Sequence, residues 1–461
     1  MSPPFRPSLV EQQFSAALDR LDDKHESADY WVAFSGGLDS TVLLHLLVNR
    51  RPAWLQGTIR AIHVDHSIHP ESVHWAAHCG EVAAGYGVPL VTRKVVPGVL
   101  RRANLEASAR RERYRLIAEE MAPDDLLVTA HHLNDQSETL LLQLFRGGGI
   151  RGTAGMGDYS RHHGFALFRP LLEIDRDALE RYARSHQLSW IEDPSNELCE
   201  QDRNYLRNQL LPPLRHRWRG LDLTLARASR LQAEASELLD ELAQQDLIQV
   251  SDKNGSALCC SALHRLSAHR QRNLLRFWLR ENNYPVPTEN QLLQLQRSMI
   301  HSRADRTPAF QWAGWVIYRY DDLLTVEPQS DETDGQWPDQ WDLRAPLKLP
   351  GSAGVLLARS CRQGERLVWQ TGEVLKISYR HGGEVIKLHG HHQKLKKLMQ
   401  QWRVPPHQRR RIPLLTVADQ IVAVPGHAVA DGYRADGMQQ GWCLSIGAMD
   451  GESDVEGAEK I

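Results

Sequence analysis

The most informative segment of the chain is Ala33-Phe34-Ser35-Gly36-Gly37-Leu38-Asp39-Ser40-Thr41. The apolar residues 30–34 before it are typical of a buried strand, and the apolar residues 41–48 after it predict a helix packed on a sheet. The paired glycines therefore lie in a strand-to-helix turn. There glycine allows close approach of a ligand, and the free N–H groups of the helix attract an anion. The segment predicts a nucleotide phosphate site rather than an ordinary glycine-rich connection, and the chain contains no Walker-type P-loop.

Length and composition set the broad class of the protein. With 461 residues the chain is too long for one core, and about three domains are expected. The six cysteines include no Cys-x-x-Cys pair and no spacing typical of disulfides, which fits a reducing cytosol. The first residues lack the apolar core of a signal peptide, and no apolar run reaches membrane length. We therefore expect a cytoplasmic protein with no membrane partner.

Strands and helices alternate between residues 30 and 190. Further strands are predicted at residues 59–64, 89–96 and 126–130, and helices at residues 72–86, 105–121 and 135–145. The strand at 126–130 is continuously apolar, as buried parallel strands are. The alternation predicts an α/β domain with a doubly wound parallel sheet, which binds its ligands at the carboxyl ends of the strands.

Two polar segments follow predicted strands. The run His63-Val64-Asp65-His66 matches no standard set of metal ligands in its spacing, so we expect it to line an adenosine pocket. Asp135 and Glu138 lie three residues apart at the start of a predicted helix, where they suit a magnesium ion or an amine substrate. The alternative is that they are ordinary N-terminal helix charges, which the helix dipole favours.

Arginines accompany these segments. Glu106, Arg110 and Arg113 fall on one face of a predicted helix, which is either a salt-bridged solvent face or part of the site. Arg146 and Arg151 lie in a glycine-rich loop that suits phosphate contact or a mobile lid.

Taken together, these motifs resemble those of the tRNA(Ile)-lysidine synthases, a family of pyrophosphate-loop ATP pyrophosphatases. In order, the chain carries Ser-Gly-Gly-Leu-Asp-Ser, His-Val-Asp-His, Glu-Ala-x-Ala-Arg-x-x-Arg-Tyr, Ala-His-His-x-x-Asp-Gln-x-Glu-Thr, Arg-Gly-Gly-Gly, Arg-Pro-Leu-Leu, Trp-Ile-Glu-Asp-x-Ser-Asn and Asp-Arg-Asn. The last two are the most specific. The resemblance extends from about residue 30 to residue 442 and is weakest in the middle.

The resemblance implies a three-part organisation. The catalytic α/β domain occupies residues 1–218, and a mostly helical, tRNA-binding middle domain occupies residues 219–328. A linker (329–340), a small basic α+β domain that binds tRNA (341–445) and a disordered tail (446–461) follow. Within the middle domain, residues 263–282 predict an amphipathic helix and residues 311–320 a hairpin.

The last domain contains a basic segment. Leu395, Leu398, Met399 and Trp402 form one apolar stripe on a predicted helix, with the basic groups facing outward. A solvated basic face is the alternative, but an anionic RNA partner favours phosphate contact. The candidate tRNA-binding residues in the whole chain are Arg146, Arg151, Arg203, Arg207, Arg380, Lys394, Lys396, Lys397, Arg409, Arg410 and Arg411.

The resemblance also implies a reaction. The enzymes of this family use ATP and Mg²⁺ to join free L-lysine to carbon 2 of the wobble cytidine of tRNA(Ile) with a CAU anticodon, through an adenylated intermediate. Binding of ATP is expected at Ser35, Gly36, Gly37, Leu38, Asp39, Ser40, His63 and His131. Magnesium is expected at Asp39 and Asp135, and catalysis at Asp39, Asp135, Glu138, Arg110 and Arg113. A homodimer is left open.

One departure and two rival functions accompany this interpretation. Families of this type usually carry a carboxylate where this chain has Asn134, which puts any metal role of that position in doubt. A tRNA thiolase needs a reactive cysteine, but Cys79, the nearest to the loop, is expected to be a buried helix thiol. A tRNA-binding protein without catalysis is suggested only by Asn134.

Overall fold

The computed structural model describes residues 7–21, 28–52, 54–66, 70–96, 105–162, 164–194, 201–252, 255–302, 308–329, 339–349, 354–369 and 374–447. The chain divides into two compact units, Met1–Glu241 and Leu242–Ile461. Most of the predicted linker and tail lies outside the described residues. The domain boundaries given above stay predictions.

The first unit contains a six-stranded sheet with the order β3-β2-β1-β4-β6-β5. Its strands are β1 (Tyr30–Ala33), β2 (Ile59–Asp65), β3 (Leu90–Lys94), β4 (Leu126–Val128), β5 (Tyr159–His162) and β6 (Phe165–Phe168). All neighbours are parallel except the hairpin of β5 and β6. The predicted parallel sheet is confirmed, and the hairpin is an addition that the alternation did not indicate.

Helices make up most of the rest of the first unit, and the last of them continues past Glu241 into the second unit. They are α1 (Leu9–Asp19), α2 (Leu38–Asn49), α3 (Ser72–Gly85), α4 (Leu105–Ala118), α5 (Leu133–Phe145), α6 (Ile150–Thr153), α7 (Arg176–Ser185), α8 (Asp202–Tyr205), α9 (Leu211–Arg217) and α10 (Leu221–Val250), with a π-helical turn at Leu206–Leu210. Strand residues alternate between two cores: Val32 and Val128 pack into one, and Trp31 and Leu127 into the other. The domain is therefore doubly wound, as predicted.

The second unit begins with a helical region on a small sheet. Its elements are β7 (Leu258–Cys259), α11 (Cys260–Arg265), α12 (Ala268–Glu281), α13 (Glu289–Leu295), β8 (Ala309–Trp312), β9 (Trp315–Tyr320) and β10 (Leu323–Pro328), with a π-helical turn at Gln296–Ile300. The predicted helix over 263–282 is two helices, because the Ser267 side chain caps α12 by accepting from the Arg270 N–H. The predicted hairpin is confirmed as β8 and β9, with Ala313 and Gly314 in left-handed conformations at its turn.

Short strands dominate the rest of the unit. They are β11 (Leu347–Lys348), β12 (Val355–Cys361), β13 (Lys376–Ser378), β14 (Val385–Leu388), β15 (His391–Lys394), β16 (Leu414–Val417), β17 (Gln420–Val424), β18 (Ala428–Val429) and β19 (Gly441–Gly447), and helix α14 (Leu395–Gln401) follows β15. On α14 the residues Leu395, Leu398 and Met399 are buried and Trp402 packs against them, so the predicted apolar stripe is confirmed.

The expectation that the cysteines form no disulfide is wrong. Cys361 on β12 and Cys443 on β19 form one, with an Sγ–Sγ distance of 2.02 Å. The two strands are antiparallel, with Arg359 opposite Cys443, and this pairing brings together cysteines that are 82 residues apart. The spacing of the cysteines along the chain does not indicate such a pairing. Among the described helices, none is long and apolar enough to cross a membrane.

Candidate active site

The pyrophosphate loop (residues 35–40) leaves β1 and enters α2 at the carboxyl edge of the sheet. Gly36 has φ +79°, and a Cβ there would lie 2.8 Å from Cys79 Sγ and 2.9 Å from Ile191 Cδ1. Only glycine fits this position without strain. The Ile191 N–H donates to Gly36 O at 2.9 Å, so the Trp-Ile-Glu-Asp motif is hydrogen-bonded to the backbone of the loop.

Hydroxyl groups close the loop on itself. Ser35 Oγ lies 3.0 Å from Ser40 Oγ, and the Ser40 hydroxyl donates to Gly37 O at 3.0 Å. Ser35 is exposed, whereas Ser40 and Leu38 are buried. Gly37 caps α2 without a side chain, so no side chain covers the first N–H groups of that helix. The loop thus offers N–H groups and a hydroxyl to an anion.

His63 and Cys79 lie beneath the loop. His63 Nδ1 is 3.0 Å from Phe34 O and donates to it in the tautomer protonated at Nδ1, while Nε2 is buried without a partner. Cys79 is fully buried, and burial raises the pKa of its thiol to about 12. Such a thiol is not a nucleophile at neutral pH, which fits the expected buried helix cysteine.

A chain of polar side chains connects the loop to α5. Asp39 Oδ2 lies 3.7 Å from His132 Nε2, which lies 3.4 Å from Asp135 Oδ2. The His132 N–H also donates to Asp135 Oδ2 at 3.0 Å, at the start of α5. Asp39 Oδ1 is buried without a partner, and burial raises the pKa of this carboxyl despite the attraction of His132.

Asp135 and Glu138 meet two arginines in what we call the acid–arginine cluster, formed by Asp135, Glu138, Arg203 and Arg207. Arg203 Nε donates to Glu138 Oε2 at 2.8 Å, and Arg207 Nε donates to Glu138 Oε1 at 2.7 Å. Arg207 Nη2 donates to Asp135 Oδ1 at 3.1 Å. The Glu138 side chain is only 1% exposed, so its charge is compensated almost entirely by these guanidinium groups.

The cluster shifts the pKa values of its members. Burial would raise the pKa of Asp135, but the positive potential of His132 and Arg203 prevails and lowers it to about 2. Burial also opposes the charge of Arg207, yet its hydrogen bonds to Glu138 raise the pKa of that guanidinium. Both groups are therefore charged at neutral pH.

Three family models match this chain. A model described as a PP-loop domain matches residues 10–214, and models described as the TilS substrate binding domain and the TilS substrate C-terminal domain match residues 258–325 and 375–446. The chain is 33% identical over 425 residues to the tRNA(Ile)-lysidine synthase of Coxiella burnetii, covering 91% of this chain and 93% of the relative. It is 39% identical to that of Alkalilimnicola ehrlichii, covering 89% and 92%. The chain belongs to the tRNA(Ile)-lysidine synthases.

The other predicted site residues make contacts of their own. His131 Nδ1 is 2.9 Å from Thr129 Oγ1, and burial, aided by nearby arginines that include Arg110, lowers the pKa of its imidazole to about 3. The Arg110 guanidinium lies over the Tyr114 ring at 5.5 Å, and Arg113 Nη2 lies 3.2 Å from His66 Nε2. The Glu106 side chain is outside the described part of α4. The catalytic roles of Arg110 and Arg113 stay predictions.

The predicted RNA-binding arginines of the first unit differ in exposure. Arg146 pairs with Asp202 at 3.3 Å, and Arg151 pairs with Asp240 at 2.8 Å; both arginine side chains are about 60% exposed. Arg203 and Arg207 instead belong to the acid–arginine cluster. The sequence predicted that these two arginines contact tRNA, whereas the structure places them on Asp135 and Glu138.

The predicted RNA-binding residues of the second unit also differ in exposure and in their partners. Lys394, Lys396, Lys397 and Arg410 are exposed. Arg409 is buried and donates from Nε to Val404 O at 2.9 Å. Arg380 pairs with Glu384, and Arg411 Nη1 donates to Glu327 Oε2 at 3.2 Å.

Three residues at the start of α5, its N-cap His132 among them, have contacts that the sequence did not reveal. His132 connects Asp39 to Asp135, although the prediction for the site named His63 and His131 and not His132. Gln136 holds the glycine-rich loop, because its amide donates to Met156 O at 2.6 Å and accepts from the Met156 N–H at 2.8 Å. Asn134 Oδ1 accepts from the Arg176 N–H at 3.0 Å. All three lie inside the Ala-His-His-x-x-Asp-Gln motif, which was the one available signal.

Proposed function

We propose that this chain uses ATP to join free L-lysine to the wobble cytidine of an isoleucine tRNA with a CAU anticodon, forming lysidine, AMP and pyrophosphate. The observation that carries the proposal is the polar chain from Asp39 through His132 to Asp135. It connects an anion-binding loop to a cluster of carboxylates and arginines, so ATP and an amine substrate would meet there. We further propose a cytoplasmic location and leave a homodimer open.

In the first step, O2 of the cytidine attacks the α-phosphorus of ATP. The bond between that phosphorus and the bridging oxygen breaks, and pyrophosphate leaves with the electron pair. We assign binding of the departing pyrophosphate to the N–H groups of Gly36, Gly37 and α2 and to the Ser35 hydroxyl, because no side chain caps the start of α2 and Ser35 is exposed at its edge. Arg110 and Arg113 stay candidates for the α-phosphate.

Magnesium would enter with ATP and would offset the negative charge of its phosphates. Asp39 fits such an ion, because Oδ1 lacks a partner in this structure. Asp135 fits less well, since Oδ2 accepts from the His132 N–H and Oδ1 from Arg207. Within the described residues no group of three or more His, Cys, Asp or Glu side chains forms a metal site. We therefore propose Asp39 as the principal protein ligand of Mg²⁺.

In the second step, the ε-amine of lysine attacks C2 of the adenylated cytidine, and the C2–O bond breaks to release AMP. We propose that Asp135 and Glu138 hold the lysine ammonium before it loses a proton. The two carboxylates are already balanced by Arg203 and Arg207, so lysine must displace at least part of one guanidinium. A pKa of about 2 makes Asp135 a weak base, and we assign it recognition of charge rather than proton transfer.

We propose that tRNA phosphates contact the exposed basic residues Arg146, Arg151, Lys394, Lys396, Lys397 and Arg410. Arg409 is left out because it is buried and bonded to the backbone. Arg380 and Arg411 are weaker candidates, because carboxylates already accept from them.

The function is tested by mass analysis of nucleosides. The chain is incubated with an isoleucine tRNA transcript bearing CAU, ATP, Mg²⁺ and lysine, and the control transcript carries U at the wobble position. Lysidine is expected only with the cytidine transcript and only when lysine is present. Pyrophosphate release without lysidine would point to another pyrophosphate-loop reaction such as thiolation. RNA binding without pyrophosphate release would point to a protein that has lost catalysis.

A further inference from the structure

An open cleft lies beside the acid–arginine cluster, where the end of α5 meets α8 and the π-helical turn. It encloses about 280 Å³, and its lining includes Leu142, Phe145, Arg146, Asp202, Tyr205 and Leu206. We call it the aromatic cleft. Phe145 and Tyr205 remain 66% and 53% exposed, so both rings at the cleft are accessible to a ligand.

The aromatic cleft and the cluster are built from the same three elements, α5, α8 and the π-helical turn. Leu142 follows Glu138 by four residues on α5, a rise of about 6 Å along the helix. Asp202, Tyr205 and Leu206 lie in the same short segment as Arg203 and Arg207, which donate to the two carboxylates. A substrate that places one group at the cluster therefore passes the cleft within about one helical turn.

The chemistry of the cleft favours an unpaired nucleotide. Exposed aromatic rings beside an arginine are the usual platform for stacking bases of single-stranded nucleic acid. Arg146 lies at the cleft and, among the described residues, pairs only with the exposed Asp202 at 3.3 Å, an ion pair that is weak in water and easily exchanged for a phosphate. Arg151 adds a further exposed positive charge on the next helix, α6.

We propose that the aromatic cleft stacks a base adjacent to the wobble cytidine of the substrate RNA. Tyr205 provides the stacking face, Phe145 and Leu142 provide the apolar floor, and Arg146 contacts the adjoining phosphate. The proposal rests on the proposed function, because it takes the wobble cytidine to react with a lysine held at the acid–arginine cluster. It adds a specificity element outside the ATP site.

The test uses an RNA hairpin of the anticodon stem and loop, and the same hairpin with an abasic residue on either side of the wobble cytidine. Dissociation constants are measured for the full chain, for Tyr205→Ala and for Tyr205→Phe. Tyr205→Ala is expected to bind the intact hairpin roughly tenfold more weakly, the usual scale for loss of one stacked base. Tyr205→Phe keeps the ring and is expected to bind within about twofold of the original chain.

The abasic hairpins supply the decisive comparison. One of them is expected to bind the original chain about tenfold more weakly, and Tyr205→Ala is then expected to cause no further loss, because the ring has no base left to stack on. Trp218→Ala is the matched control, since Trp218 is 56% exposed in the same unit but does not line the cleft. It is expected to leave the difference between intact and abasic hairpins unchanged.

Two results would overturn the inference. One is an unchanged affinity of Tyr205→Ala for the intact hairpin. If that variant binds RNA normally but no longer forms a dimer, the cleft would instead be the contact with a second copy of this chain. The other is a Tyr205→Ala loss that adds fully to the abasic loss. Should Tyr205→Ala fail to fold, Phe145→Ala and the abasic hairpins with the original chain give the same decision. Failure of lysidine formation with normal stacking would reject the proposed function alone.

Discussion

Basic side chains have opposite surroundings in two regions of the molecule. In the acid–arginine cluster, the Arg203 and Arg207 side chains are only 19% and 31% exposed, and both donate to carboxylates that are themselves buried. Around the start of α14, Lys394, Lys396 and Lys397 are exposed, and in the described part of the chain no ion pair engages them. The same kind of charge is thus fully matched in one region and open to solvent in the other.

The contrast separates two uses of positive charge. Removing one partner from a buried pair typically costs about 3–5 kcal/mol, because the remaining charge is left in a poor environment. An exposed lysine costs little to keep and little to lose, and it releases counterions when it meets a polyanion. We infer that the cluster positions reactants, whereas the lysines serve a large anionic partner.

The largest expected effect is at Asp135. Asp135→Ala should abolish lysidine formation, because it removes the link to His132 and leaves Arg207 with Glu138 alone. Product is measured by nucleoside mass analysis, and folding by thermal unfolding. Asp177→Ala, an exposed carboxylate in the first turn of α7, is the control and should retain activity. Substantial turnover in Asp135→Ala would break the distinction between the two regions.

Asp39→Asn should lower turnover about a hundredfold, since one preorganised charged group typically contributes on that scale. Asp39 lies in the first turn of α2 with Oδ1 unpartnered, so the substitution should leave the fold intact. Rates are measured across a magnesium titration, with Asp177→Asn as the matched control. Near-normal rates with an unchanged magnesium requirement would remove Asp39 from the metal site.

The stability of the fold should depend on pH through the buried carboxylate of Asp135. The pKa of Asp135 is about 2 in the folded chain, below the value of 3.8 of a free aspartate. A depressed pKa stabilises the fold above pH 3.8, and the stabilisation is lost as pH falls through about 2. Unfolding free energies between about pH 5 and about pH 2 should decline by about 2 kcal/mol more in the original chain than in Asp135→Asn. Equal slopes would show that the cluster does not hold this carboxylate in its charged form.

The three lysines should matter for RNA alone. Changing Lys394, Lys396 and Lys397 together to Ala should weaken tRNA binding by about tenfold and make its salt dependence shallower by slightly under about one log unit for each phosphate that is no longer neutralised. Affinities for ATP and lysine should not change. The control replaces Lys348 and Lys376, which are also exposed lysines of the second unit. An unchanged dissociation constant and slope would make the segment a solvated face.

The sequence predicted the fold of the first unit well, because apolar runs and glycines report local structure directly. The parallel strands and the loop before α2 follow from apolar runs and paired glycines, and in the second unit the stripe on α14 follows from helical periodicity. The β5–β6 hairpin was missed because its strands are four residues each and lie within a region read as alternating strand and helix.

The sequence did not predict which side chains contact each other across long distances in the chain. Arg203 and Arg207 looked like RNA ligands because their carboxylate partners lie some 65 residues earlier in the chain. Arg409 looked like a surface charge within a basic run, yet it donates to Val404 O inside the domain. The Cys361–Cys443 disulfide depends on the register of β12 and β19. Pairing across such distances depends on packing, which spacing does not encode.

The smallest expected effect concerns Asn134. Its Oδ1 accepts from the Arg176 N–H at the start of α7, a bond that needs an oxygen acceptor but no charge. Asn134→Ala should therefore cost about 1 kcal/mol of stability and leave turnover within about threefold, because Asp135 keeps its contacts. Asn134→Asp preserves the acceptor and should match the original chain within about twofold. Turnover is measured at saturating and at limiting magnesium, where a metal-binding carboxylate would show itself first. A roughly tenfold gain of Asn134→Asp at limiting magnesium would mean that this position, and not only Asp39, belongs to the metal site, and the acidic region would then extend one residue beyond the cluster.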